Sequence, residues 1–139
     1  MEALPAIAQG GAVWTEQDEG RATHAPKIEK AELWLSPADT ALVNGRRVRA
    51  STDAAPARCA LGSHPARVLR VAPAGPEEGA GHLRPAAGEW CLEQGRLLLG
   101  CADGVLPVLE LKPDGKRAMD ARAWAAGQRL AEGTWERLP

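Results

Sequence analysis

Short apolar or alternating runs, separated by turn residues, dominate the chain after residue 58. In residues 88–93 polar and apolar side chains alternate, which is the period of a half-buried strand. Short strands spaced by turns favour a mainly β fold, a small closed or nearly closed β-barrel with short peripheral helices. The predicted strands are residues 67–71, 88–93, 96–101 and 105–111, with a last extended piece around Trp135.

Turn residues predict how these strands are connected. Gln94-Gly95 and Asp103-Gly104 are dipeptides typical of tight hairpins, and Pro113-Asp114-Gly115 predicts another turn. Pro107 has no amide hydrogen to donate to a neighbouring strand. Its strand should therefore lie at a sheet edge or contain a bulge.

A short helix is predicted at the start of the chain. Residues 2–9 are closed by two glycines, and Leu4 and Ile7 lie three apart on one face. Such a short helix is marginal alone, so its exposed apolar face is a candidate contact for a partner or a second copy. Residues 12–30 are expected to be irregular or extended.

Two further helices are predicted. Ser36 is expected to cap the first of them, with Pro37 at its first position and the helix continuing to about Val48. Gly45 inside it costs about 1 kcal/mol relative to alanine, so a break or fraying is expected there. Residues 120–128 predict the other helix.

Composition narrows the class of protein. A chain of 139 residues fits one compact domain, and with five Trp but no Phe or Tyr its core must be mainly aliphatic. No apolar run approaches the roughly 20 residues that cross a bilayer, and the start lacks a basic region. A soluble cytoplasmic protein without membrane contact is the default expectation.

Charge is distributed unevenly along the chain although the net charge is only -1. Residues 21–70 carry nine bases and four acids, and residues 111–139 carry six bases and four acids. Residues 71–110 carry six acids and two bases. A fold that joins the two base-rich stretches would present a basic face, whereas ordinary solvated charge is the competing interpretation.

Cysteines and histidines predict no reactive centre. The cysteines are odd in number and widely spaced, so small buried hydrophobes are favoured over metal or redox chemistry. The histidines stand in different segments, and none has a recognisable nucleophile or carboxylate constellation. We therefore expect no catalytic, cofactor-binding or metal-binding residue in this chain. The residues concerned are Cys59, Cys91, Cys101, His24, His64 and His82.

The order of several segments resembles the methionyl-tRNA formyltransferase family. Residues 115–121, Gly-Lys-Arg-Ala-Met-Asp-Ala, followed by Trp124 and Gly127, are similar to the signature near the end of that family. The other similar segments are residues 95–115 (a strand pair), residues 15–19 and 22–30 (the interdomain linker), and residues 36–38 and 46–50 (the helix that opens the second domain).

This resemblance implies an OB-like barrel for residues 31–139, preceded by a remnant helix and interdomain linker in residues 1–30. The family's catalytic domain would precede residue 1, so formyl transfer from 10-formyltetrahydrofolate is not expected of this chain alone. A formyltransferase catalytic domain, in cis or in trans, is the implied partner. The family's Pro-x-Pro-Gly-Ala turn is replaced here by residues 53–57, Asp-Ala-Ala-Pro-Ala.

The resemblance also implies contact with initiator tRNA, outside its reacting end, by neutralisation of phosphates. At each candidate the competing interpretation is structural, such as an ion pair with Asp114 or Asp120 or a solvated helix face. A protein-interaction or scaffold module that no longer binds tRNA is the alternative function. The candidate tRNA-binding residues are Lys27, Lys30, Arg46, Arg47, Arg49, Lys112, Lys116 and Arg117.

The tryptophans are predicted to differ in exposure. Trp90 and Trp124 are expected in the core, because Trp is the only large aromatic residue type in the chain. Trp34, between two leucines, is expected to anchor the linker to the barrel. Trp14 is the best candidate for an exposed ring.

Overall fold

The computed structural model describes residues 3–73 and 85–139. His82 and most of the Gly- and Pro-rich stretch before Pro85 lie outside the described residues. Short 3₁₀ turns span Glu19–Arg21 and Lys30–Leu33. The helices are α1 (Ala3–Ala8), α2 (Ala41–Ala50) and α3 (Ala121–Gln128). The strands are β1 (Arg58–Leu61), β2 (His64–Val71), β3 (Glu89–Glu93), β4 (Arg96–Gly100), β5 (Val105–Pro113), β6 (Met119–Asp120) and β7 (Glu132–Glu136).

The strands form one antiparallel sheet that curls into a barrel-like ring. Its order is β2-β1-β7-β3-β4-β5-β6, and β2 also pairs with β5, so the pairings return to β2. The joint between β1 and β7 is short, with Ala60 opposite Glu136 and Leu61 opposite Trp135. The mainly β prediction with short peripheral helices is confirmed.

The core lies inside this ring and is aliphatic with tryptophan anchors. Leu97, Leu99 and Leu106 are fully buried. The rings of Trp90 and Trp124 meet edge to face at 5.5 Å, a favoured geometry for aromatic pairs. The predicted burial of these two tryptophans is confirmed. The core also contains Trp135, whose Nε1 donates to the carbonyl of Gly100 at 2.9 Å.

The predicted hairpin turns are present. Gln94 and Gly95 both have positive φ, 48° and 76°, as a two-residue turn matched to the twist of its strands requires. β5 pairs with β4 on one side and β2 on the other, so Pro107 is not on an edge strand. The ladder between β2 and β5 shifts register on either side of Arg70, which is a bulge or another irregularity in the pairing of the strand that carries Pro107.

The predicted start of α2 is wrong. The helix begins at Ala41, and Thr40 caps it by accepting a hydrogen bond from the Val43 amide at 3.1 Å. Ser36 instead precedes a turn, because the side chain of fully buried Asn44 binds both its amide and its carbonyl. This long-range contact outweighs the local capping signal.

The expected break at Gly45 is also wrong, because α2 runs without interruption to Ala50. Gly45 is buried, and a Cβ placed there would lie 3.6 Å from Cδ1 of Leu106 on β5. The close packing of α2 on the barrel therefore offsets the low helix propensity of glycine.

The N-terminal segment exposes apolar side chains. α1 ends as predicted, with Gly10 at a φ of 72°. Leu4 and Ile7 are 63% and 54% exposed, and Trp14 is 87% exposed, which confirms the prediction for its ring. No helix within residues 3–73 and 85–139 has both the length and the apolar character needed to cross a bilayer.

Residues 33–35 attach the N-terminal segment to the barrel. Leu33 and Leu35 are buried, and the Leu35 amide donates to the Arg58 carbonyl at 2.8 Å. Between them, Trp34 is half-buried, with the guanidinium of Arg137 5.9 Å from its ring centroid. This arrangement agrees with the predicted anchoring role of Trp34. The division into residues 1–30 and 31–139 stays a prediction.

Two glycines stand where the ring has no room for a side chain, so replacing either of them should lower the stability of the fold. A Cβ at Gly100 would lie 1.9 Å from the carbonyl oxygen of Ala86, and one at Gly133 would lie 2.6 Å from Nε1 of Trp90. Gly100→Ala and Gly133→Ala should each lower the free energy of unfolding in urea by at least about 2 kcal/mol.

Gly127→Ala is the matched control, because nothing lies within 4 Å of its added Cβ in α3. It should raise the free energy of unfolding by about 0.5 kcal/mol through helix propensity. Equal stabilities for the three variants would contradict the packing described here.

Candidate functional site

Three cationic side chains lie side by side on the outer face of β1, β2 and β5. Arg58 is directly opposite Arg67, and Arg67 is directly opposite Lys112. Side chains opposite one another on antiparallel strands have Cβ atoms about 5 Å apart, so like charges there repel. We call these three residues the cationic row. The repulsion between these charges lowers the stability of the sheet locally.

The cationic row lines a cleft of about 240 Å³. Its other wall comes from the turn after β5, where Gly115 has a φ of 74° and the Asp114 amide donates to the Pro65 carbonyl at 3.0 Å. Two prolines stiffen the cleft because their φ angles are fixed. The lining residues are Pro56, Arg58, Arg67, Lys112, Pro113, Asp114 and Gly115.

Two carboxylates reach the cationic row from the loops beside it. Asp114 pairs with Nη2 of Arg58, and Oδ1 of Asp53 accepts from Nη1 of Arg67 at 2.9 Å. The Asp53 side chain is 100% exposed and that of Asp114 is 55% exposed. Ion pairs this exposed to water contribute little stability, so these carboxylates are loosely held.

These two carboxylates do not give every charged group of the cationic row a partner. Among the described residues, Lys112 has no ion pair, and Nε of Arg67 is buried without a hydrogen-bond partner. Three positive charges therefore face two carboxylates. The cleft keeps a local positive excess, which suits it to bind an anion.

The fold brings the two base-rich stretches together at this cleft. Arg58 and Arg67 come from residues 21–70, and Lys112 comes from residues 111–139. Sequence reasoning identified Lys112 but missed the two arginines. Their signal was present only in the register of β1 on β2, because neither arginine stands in a recognisable motif.

Lys116 and Arg117 continue from the cleft along the connection between β5 and β6, and both are exposed. The two acids that were expected to pair with them bind other groups instead. Asp114 pairs with Arg58, and Asp120 caps α3 by accepting from the Arg122 amide at 2.8 Å. Lys112, Lys116 and Arg117 thus lie on one strand end and the turn that follows it.

The arginines of α2 fall into two groups. Arg46 and Arg49 are exposed, whereas Arg47 is half-buried and donates to Oδ2 of Asp39 and to Oδ1 of Asn44. Arg47 therefore has the structural role that the sequence left open. α2 packs against β2 and β5, and residues 51–57 lead from its end to the rim of the cleft.

The two remaining candidates precede the barrel. Lys27 is exposed in an irregular stretch, and Lys30 is exposed at the start of the turn Lys30–Leu33. Neither lines the cleft. For all eight predicted residues, tRNA contact stays a prediction.

The cysteine thiols are held in their neutral form. Burial raises the pKa of Cys59 to about 12 and that of Cys101 to about 11, and a hydrogen bond from Asn44 moderates the rise at Cys101. Burial and then the neighbouring carboxylates raise the pKa of half-buried Cys91. Because the thiolate is the reactive and metal-binding form, these thiols are poor nucleophiles.

Cys59 and Cys101 match the prediction of small buried hydrophobes, whereas for Cys91 on β3 this prediction is wrong, because Cys91 is only half-buried. Across the described parts of the chain, no cluster of three or more His, Cys, Asp or Glu side chains is placed to hold a metal ion.

Comparison with known proteins settles the family. The family model described as formyl transferase, C-terminal domain, matches residues 27–129. The chain belongs to this family. The resemblance to methionyl-tRNA formyltransferases is thereby confirmed, and the fold described above is that of such a C-terminal domain.

Curated relatives agree with this assignment. The methionyl-tRNA formyltransferase of Corynebacterium jeikeium is 34% identical over 127 residues, which cover 91% of this chain and 38% of the relative. That of Halorhodospira halophila is 35% identical over 132 residues, covering 94% and 41%. That of Chlamydia caviae is 31% identical over 133 residues, covering 91% and 40%. The chain thus spans about two fifths of the length of the curated relatives it matches.

The buried thiols predict how stability depends on pH. Cys59 and Cys101 ionise near pH 9.0 in the unfolded chain but only near 12 and 11 in the folded one. The unfolded state therefore loses protons first, and the free energy of unfolding should fall as pH rises above about 9. Each thiol contributes at most about 1.4 kcal/mol per pH unit.

Urea unfolding in the presence of a reductant, from about pH 8 to 11, measures this slope. Cys59→Ala should have a shallower slope than the parent by up to about 1 kcal/mol per pH unit, because other titrating groups are common to both proteins. Identical slopes for the two proteins would contradict the burial of the Cys59 thiol.

Proposed function

We propose that this chain is the accessory, tRNA-binding part of a methionyl-tRNA formyltransferase-like protein. In this role it works with a formyltransferase catalytic domain, in cis or in trans, and contributes binding rather than the chemical step. It holds the initiator tRNA outside the reacting end, so that the aminoacyl group is positioned for formylation. Family membership and the names of the relatives support the assignment.

The cationic row is the observation that carries the RNA-binding part of this proposal. Cations from three strands converge on one cleft, and Lys116 and Arg117 extend the positive surface from its edge. RNA backbones are bound mainly by such Lys and Arg contacts to phosphate oxygens, largely without regard to sequence. The surface suits a backbone contact rather than base recognition.

The near-neutral net charge is compatible with this function. Only charges close to the bound phosphates affect the affinity strongly, because surface charges more than about 8 Å apart are largely screened at physiological salt. The acids of residues 1–20 lie outside the strands of the cationic row, and Glu110, which shares β5 with Lys112, lies 3.9 Å from Nη1 of Arg70. A small number of phosphate contacts then gives weak binding that depends strongly on salt.

A second candidate function is a protein-interaction module without RNA binding. The exposed apolar residues of the N-terminal segment favour it, namely Leu4, Ile7, Val13 and Trp14. These four residues lie within a short stretch of the chain, and exposed apolar side chains that gather in a patch mark surfaces that bind other proteins. The same surface serves the first candidate as a contact for the catalytic domain or for a second copy of the chain.

Titration of labelled initiator tRNA at two or more salt concentrations separates the two functions. We expect binding at low salt that weakens steeply as salt rises, with a log–log slope of about -0.7 to -0.9 per phosphate contact. Lys112→Gln should lower that slope by about one contact and weaken binding severalfold. The double variant Lys116→Ala, Arg117→Ala should lower it further.

Arg21→Gln is the charge-matched control, because Arg21 is exposed and pairs with Asp18 in the turn before the barrel. Its affinity and slope should equal those of the parent. Absence of tRNA binding by the parent at low salt would overturn the first candidate and favour the interaction module.

A further inference from the structure

We propose that the cleft is a subsite for one phosphate group of the RNA backbone, and that Asp53 and Asp114 occupy its cations until that phosphate displaces them. The inference deepens the proposed function, on which its choice of RNA as the source of the phosphate rests. The argument starts from what the two carboxylates contact and from what holds their loops in place.

The carboxylates come from outside the sheet, so the cationic row exists independently of them. Arg58, Arg67 and Lys112 are fixed by strand pairing, whereas Asp53 and Asp114 belong to the connections beside the strands. If this face of the sheet only had to be electrically neutral, facing strand positions would carry opposite charges, because side chains at facing positions pair directly. Here three like charges face one another, and two exposed acids partly neutralise them from the side.

Both carboxylates can leave without disturbing the backbone. Around Asp53, the amide of Thr52 donates to the Ala55 carbonyl, and the amide of Ala55 donates to Oγ1 of Thr52, both at 3.1 Å. These bonds form the turn without the Asp53 side chain. Rotation of an exposed side chain is fast, so exchange at Asp53 needs no loop opening.

The turn at Asp114 is equally independent of its carboxylate. The Asp114 amide donates to the Pro65 carbonyl at 3.0 Å, and the Lys116 amide donates to the Pro113 carbonyl at 3.1 Å. The carboxylate itself contacts only the guanidinium of Arg58 among the bonds described for this side chain. Its departure therefore costs one half-exposed ion pair.

A phosphate group satisfies the cationic row better than the two carboxylates do. Lys112 has no acidic partner among the described residues, and Arg67 keeps one donor without an acceptor. A phosphate presents several acceptor oxygens to cations that stand about 5 Å apart at their Cβ atoms. Its oxygens can therefore be shared among neighbouring cations of the row, whereas Asp53 and Asp114 are each bonded to a single arginine.

Displacement has a consequence that a purely structural ion pair lacks. If Asp53 and Asp114 compete with phosphate, removing either negative charge should strengthen anion binding. If they only brace the fold, the same change should weaken stability and leave the anion affinity unaltered. The sign of the change in affinity therefore tests the proposal.

The experiment measures binding of inorganic pyrophosphate and of initiator tRNA to the full chain, with Asp53→Asn and Asp114→Asn as the variants. Each variant should bind pyrophosphate about threefold or more tightly than the parent, because one nearby negative charge is removed. Amide chemical shifts of residues 58, 67 and 112 should report the site. Arg67→Gln should weaken binding by at least about as much.

Asp18→Asn is the matched control, with the same loss of charge in the turn that contains Arg21. It should leave the pyrophosphate affinity unchanged. Thermal unfolding of each variant gives the folded fraction. Asp53→Asn keeps the test decisive if Asp114→Asn unfolds, because the Asp53 side chain is fully exposed.

Three outcomes are distinguishable. Tighter binding of both pyrophosphate and tRNA by the Asn variants supports the proposal in full. Tighter binding of pyrophosphate without any tRNA binding by the parent supports the subsite, overturns RNA as its source and refutes the proposed function. Unchanged or weaker pyrophosphate binding in folded Asp53→Asn overturns the displacement of carboxylates, whatever the tRNA result.

Discussion

The register of β1 on β2 and of β2 on β5 is the constraint on which both the core and the cleft depend. Successive side chains of a strand point to opposite faces, so Ala66 and Val68 enter the core while Arg67 faces outward between them. A slip of one residue would bury the arginine and expose its neighbours. The burial that selects the register therefore also aligns Arg58, Arg67 and Lys112.

Local signals made the central hairpins predictable. Residues 88–93 alternate, residues 96–101 and 105–111 are short apolar runs, and turn dipeptides separate them, so β3, β4 and β5 follow from the sequence alone. β1 was missed because Arg58–Leu61 is only four residues long, although the dipeptide Gly62-Ser63 after it forms the turn into β2. The start of α2 was misplaced because the contact of Asn44 with Ser36 spans eight residues and is invisible to capping rules.

The site was predictable only in part, for the same reason. Lys116 and Arg117 follow from the family signature in residues 115–121, Lys112 follows from the similar strand pair before it, and charge distribution pointed to the two base-rich stretches. Arg58 and Arg67 become neighbours of Lys112 only through pairings between strands distant in sequence. Exposed side chains carry no hydrophobic period, so nothing in a single sequence marks which charges will meet.

The balance of charge in the cleft explains why an accessory role suits this domain. When a phosphate replaces Asp53 and Asp114, the ion pairs lost offset much of the ion pairing gained, so the cleft alone binds weakly. Weak contacts become effective when a second binding site is tethered to them, because the tether raises the effective concentration. A domain that spans about two fifths of its relatives is placed to act in that way. Under the proposed function, loosely held carboxylates would keep the contact reversible, which favours release of the tRNA over its retention.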